Sequence, residues 1–286
     1  MNRIPVGKTI GYAYGFTFGH LGTIIGIAWL PLVLIGVLQF LPYAFGGNPM
    51  LPAEDATAAG RQALEGLATS LLTLLLYSII YVPVTQHALG LRHGTPIVHL
   101  ALGAPELRVM GAIILFIVVF IGMVLGVAVL AGILGLVGAA TGKAAIFGLI
   151  AALVFLAAFF GFIYAIVRLS FLLVPVTVAE GHISLTRGWL LTRGNFWRIF
   201  VVLLAIVVPI LLLHLAGMLA IVGPGLFAPL PAGAEAAGRA FSQRFAVLGQ
   251  HMPVYIGLNL ILAPFGIGLG QGAAAFAYRS LVPPPG

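Results

Sequence analysis

Apolar residues in this chain come in long unbroken runs, and six runs are separated by short stretches rich in Gly, Pro and charge. Each run reaches the roughly 20 residues that a helix needs to cross a hydrocarbon layer about 30 Å thick. The pattern predicts spans at residues 21–45, 67–90, 109–138, 145–175, 199–222 and 254–278. Barrel strands would alternate apolar and polar positions, which these runs do not, and in lipid only helices remain to pair the backbone amides internally. The expected fold class is all-α: a polytopic integral membrane helical bundle of about six transmembrane helices in three hairpins, with residues 1–286 as one transmembrane domain. The third and fourth spans exceed a perpendicular crossing and should tilt or extend beyond the headgroups. A tight turn at 138–143 joins them, and the longer links at 46–66 and 223–253 have room for short surface helices, one near 234–250.

Finer periodicities lie inside this frame. Gly7, Gly11, Gly15 and Gly19 recur every fourth residue, which on a helix makes one smooth face where another backbone can approach. Tyr12, Tyr14, Phe16 and Phe18 supply interfacial rings beside it. Residues 1–20 therefore read as a cytoplasmic or interfacial segment, an in-plane helix ahead of the first span, its glycine face packing internally or on a partner. Gly122 with Gly126, and Gly266, Gly268, Gly270 and Gly272, form further small-residue stripes. Val82-Pro-Val-Thr and Val174-Pro-Val-Thr repeat near the same end of two spans, and Pro264 sits comparably in the sixth. Proline removes a helix hydrogen bond and bends the rod there.

Composition agrees with the pattern, since 62% hydrophobic and 7% charged residues cannot form a polar skin around a soluble core. Charge then sets orientation. Of the 13 lysines and arginines, Arg61, Lys143, Arg239 and Arg244 fall on the same face as Glu54, Asp55, Glu65 and Glu235; the rest lie at the opposite span ends. Basic residues flanking spans stay inside, so both termini, including the tail 279–286, should be cytoplasmic. The net charge of +7 is thus a topology signal, and no nucleic-acid partner is expected. The first run is too long for a cleaved export signal and contains Pro31 and Pro42, so it reads as retained.

The stretch 168–198 concentrates the polar features. Arg168 closes a span, where an unpaired guanidinium is costly, and Glu180 is the nearest acid; the two are expected to form a structural ion pair. Ser184 can cap a short interfacial helix near 184–193 that ends at Gly194. Arg187, Trp189, Arg193, Trp197 and Arg198 are candidate lipid headgroup contacts.

Catalytic chemistry is not visible. Six acids are present, none paired within a span, and the chain lacks cysteine. No catalytic residue, cofactor or metal is expected; His87, His93 and His99 near Glu106 do not match a ligand spacing. Polar residues inside spans remain, chiefly Gln86, His214 and Asn259, with Gln39 and Gln271. These could line a transport path or simply bond helix to helix.

The run Val167-Arg-Leu-Ser-Phe, then Pro175, Glu180-Gly and Arg187-Gly-Trp-Leu-Leu-Thr-Arg-Gly-Asn-Phe-Trp-Arg, resembles a bacterial six-span inner-membrane family related to the membrane domain of glycerophosphoryl diester phosphodiesterases. Arg92-His-Gly-Thr-Pro is similar to that family's earlier cytoplasmic link, with Thr95 where an acid is expected, and Tyr278-Arg-Ser-Leu is similar to its closing segment. The resemblance implies a multi-pass protein of the bacterial inner membrane. The phosphodiesterase activity belongs to a separate soluble domain in fused members and is not expected here.

The expected function is that of a non-catalytic accessory, assembly or scaffold subunit, with membrane lipids and a homo-oligomer or larger membrane complex as partners. The alternative is a transporter or lipid-handling protein for a small or amphipathic molecule. A continuous polar cavity reaching the midplane and lined by His214, Asn259 and Gln86 would favour the alternative; a filled bundle with exposed glycine faces would favour association.

Overall fold

The computed structural model describes residues 3–44, 55–92 and 99–282. Nine α-helices follow one another among the described residues: α1 (Val6–Gly19), α2 (Leu21–Ala44), α3 (Ala56–Leu89), α4 (Ala104–Ala140), α5 (Ala144–Ser170), α6 (Leu173–Glu180), α7 (Leu185–Leu191), α8 (Phe196–Val222) and α9 (Ala234–Leu281), with a 3-10 turn at Pro224–Phe227. No strand occurs among the described residues. Among the described residues six segments are long and apolar enough to cross a membrane: α2, α3, α4, the α5–α6 stretch, α8 and α9. That is the make-up of a multi-pass membrane protein.

Helix ends follow local chemistry. The Asp55 side chain accepts from the Ala58 amide at 2.7 Å and starts α3 well before its apolar run. At the far end of the fourth span, Pro175 sits in the first turn of α6, where its missing amide costs little, and the chain breaks at Phe171–Leu172 instead of bending. The two Val-Pro-Val-Thr segments end alike, with Gly90 (φ 76) and Gly181 (φ 71) left-handed at the helix C-terminus. Val82 and Val174 pack together with Val109. The surface helix expected near 234–250 runs without interruption into the sixth span, because Pro253 is absorbed inside α9 rather than ending a link.

The 48-residue α9 is the post on which α1, α2, α3 and α8 pack. Helix α1, expected as an in-plane segment, lies lengthwise and antiparallel against it: Thr17 meets Gly268, Ala13 meets Gly272, and the Tyr12 and Phe276 rings stack at 5.0 Å. The ring residues also staple α1 to its other neighbours, since the Tyr12 hydroxyl donates to the Ala88 carbonyl and the Tyr14 hydroxyl to that of Ala205, both at 2.9 Å. The glycines that permit close approach are Gly268 and Gly272 of α9. Gly7, Gly11, Gly15 and Gly19 point away from the bundle, with no atom within 4 Å of where a Cβ would stand. Internal packing of that stripe is therefore not what the fold uses. The apolar middles of α4 and α5 lean on each other and bury no residue in the bundle.

Candidate functional site

Arg168, Arg187 and Arg198, on α5, α7 and α8, are each hydrogen-bonded to another segment of the chain. Arg168 is 3% exposed and held by neutral groups: Nε donates to Thr192 Oγ1 at 3.2 Å, Nη1 to the Tyr164 hydroxyl at 2.8 Å, and Nη2 to the Trp189 carbonyl. Its guanidinium also stacks 3.8 Å from the centre of the Trp189 ring. The expected Arg168–Glu180 ion pair is not formed. The eight residues of α6, about 12 Å long at 1.5 Å per residue, carry Glu180 away from Arg168. Glu180 instead accepts from Arg187 Nε at 2.9 Å and from the Tyr278 hydroxyl at 3.3 Å, tying the α6–α7 link to the last turns of α9.

The α7 helix forms where expected, with Ser184 Oγ accepting from the Arg187 amide at 3.1 Å and Gly194 (φ 77) following it. Of the candidate headgroup contacts, Arg187 is engaged by Glu180, Trp189 by Arg168, and Arg198 donates to the Ile4 carbonyl at 2.9 Å. Arg193 and Trp197 stay at the surface, Trp197 with 72% of its area exposed.

His99 lies in the link before α4, 8% exposed. Burial pushes its imidazole below the ordinary histidine range, the Arg92 charge adds to this, and Glu106 opposes it. A base depressed in the folded state favours folding while neutral, so stability should fall as pH drops below about 6.5, where the unfolded chain takes the proton first. Thermal unfolding from pH 7.5 down to 5 should show a steeper decline for the natural protein than for His99→Leu; parallel curves would contradict this. Among the described residues no His, Asp and Glu cluster is arranged to hold a metal ion.

A second feature lies among the span-length helices. A half-open cavity of about 500 Å³ is floored by one face of α9 and walled by α8 on one side and by α2 and α3 on the other. All three walls pack on α9, but no extensive contact joins α8 to α2 or α3, which leaves the groove open between them. His214 and Asn259 meet here: His214 Nε2 lies 2.8 Å from Asn259 Oδ1, His214 Nδ1 lies 2.8 Å from the Ile210 carbonyl, and Asn259 Nδ2 donates to the Tyr255 carbonyl at 3.2 Å. Gln271 accepts from Thr85 Oγ1 at 2.8 Å. Gln39, Tyr77 and Tyr81 complete the polar lining.

The groove therefore brings together His214 and Asn259, as the sequence suggested, while Gln86 lies outside it. Tyr77 and Tyr81 were missed in the sequence reading. Their signal was a pair of phenols at i and i+4 on one face of an otherwise apolar span, where each hydroxyl needs a partner. The rings stack with centroids 5.6 Å apart.

Comparison with known proteins returns no match from any family model, curated protein or solved structure. The reading of the site rests on its own geometry.

Proposed function

We propose that this is a multi-pass protein of the bacterial inner membrane, built from three helical hairpins with both termini cytoplasmic, that binds a small amphipathic molecule in the groove on α9 as a transporter or lipid-handling protein. The observation that carries the reading is the groove itself: about 500 Å³, within the usual 300–1,000 Å³ range of ligand sites, with polar groups converging on an apolar floor and its open side among apolar helices. The excess of Lys and Arg beside the termini supports the orientation.

Gly270 gives the test. It lines the groove, and a Cβ there meets no atom within 4 Å, so the side chain of Gly270→Leu starts into the open space of the groove. Native mass spectrometry from gentle detergent is expected to find a lipid-sized adduct on the natural protein and none on Gly270→Leu, at an unchanged unfolding temperature. An adduct on both, or on neither, would contradict the reading.

A second reading, an accessory or scaffold subunit, is favoured by the outward glycine face of α1. Gly11→Leu should then shift a larger assembly toward monomer in a sizing experiment while leaving the groove adduct in place.

A further inference from the structure

The chemistry of the groove lining narrows what it can hold. Among the described residues no Asp, Glu, Lys or Arg lines it. A charged headgroup placed there would lose its water without meeting an opposite charge, which is strongly unfavourable away from bulk solvent. The one imidazole in the lining has each ring nitrogen turned to a protein oxygen, the Ile210 carbonyl and Asn259 Oδ1, each at 2.8 Å, so neither nitrogen faces the groove. It is withdrawn from a ligand. What is left over is neutral. Among the described residues no hydrogen bond engages the Tyr77 and Tyr81 hydroxyls or the Gln39 amide, and Gln271 uses its carbonyl oxygen on Thr85, which leaves its amide N–H groups unengaged. Unpartnered phenols and carboxamides facing a groove of mixed polar and apolar lining are the complement of a hydroxyl or carbonyl group, because each can donate or accept and so satisfy one polar atom on either side. Alongside them, Ile35, Leu260, Ala263 and Ile267 offer a hydrocarbon wall.

We infer that the groove takes an uncharged lipid: a hydrocarbon chain carrying a hydroxyl or carbonyl group, bonded by Tyr77, Tyr81, Gln39 and Gln271. This rests on the groove reading above and adds the headgroup class to it. His214 and Asn259 brace α8 against α9 and set the width of the groove rather than touching the ligand.

The test uses three photoreactive probes with the same alkyl chain, ending in a hydroxyl, a carboxylate or a trimethylammonium group, on the full chain in lipid nanodiscs. Peptide mapping is expected to place the alcohol probe on the α9 face at 259–271 or on Tyr77 and Tyr81, about tenfold more than either charged probe, the cost of one unmet buried polar group. Tyr81→Phe combined with Gln271→Leu should remove that preference. Groove labelling by the carboxylate or ammonium probe that equals the alcohol's overturns the headgroup assignment and leaves the groove reading standing. Absence of groove labelling by all three probes overturns the groove reading as well. Both outcomes are read on the natural protein, so neither depends on a variant folding.

Discussion

Gly268→Leu is expected to break the seam between α1 and α9. A Cβ at this position would stand 2.9 Å from Thr17 Cγ2, Thr17 Oγ1 and Ile24 Cδ1. The Ile24 methyl can turn aside, but Thr17 cannot: it is fully buried, its hydroxyl is bonded to the Ala13 carbonyl at 2.8 Å, and its β-branch leaves few rotamers. Over-packing of this kind costs about 1–3 kcal/mol, and here it also pushes α1 off the helix that anchors it. Thermal unfolding in detergent should show a clear fall for Gly268→Leu and none for Gly11→Leu, where a Cβ would meet nothing within 4 Å. Equal falls for the two would mean that α1 does not pack as described.

Arg168 should matter far more than the acid once expected to pair with it. Arg168→Leu removes three hydrogen bonds from a buried guanidinium and leaves the Tyr164 hydroxyl and Trp189 carbonyl to find new partners, a loss of about 3 kcal/mol or more. Arg168→Lys should recover little, because a compact ammonium cannot reach three acceptors in different directions or stack flat on Trp189. Glu180→Gln weakens an ion pair whose arginine is 43% exposed, and should cost less than about 1 kcal/mol. Chemical unfolding of the three variants ranks them; a Glu180→Gln loss as large as that of Arg168→Leu would contradict the geometry.

These cases mark where sequence reasoning carried and where it stopped. Span positions were legible because lipid demands uninterrupted apolar runs, and α7 was legible because Ser184 and Gly194 act through their immediate neighbours. The partner of Arg168 was not, since nearness in sequence says little across a helix break: Phe171–Leu172 and the length of α6 decide where Glu180 lands. Glycine spacing located helix faces but not their direction. Gly7 to Gly19 and Gly268 to Gly272 look alike on paper, and only the second stripe meets another helix. The groove needed four helices at once, so single residues such as His214 and Asn259 could be named while their mutual bond, and the unengaged Tyr77 and Tyr81, could not.

The most direct test of the groove uses the absence of cysteine from the chain. A single Ala263→Cys carries a spin label on the groove floor without any background site. In bilayers, collision with oxygen, which dissolves in lipid, and with a water-soluble nickel chelate separates the alternatives. The account expects strong oxygen and weak nickel collision, with label motion restrained on adding a long-chain alcohol. Weak collision with both reagents, as in a filled bundle, would contradict it.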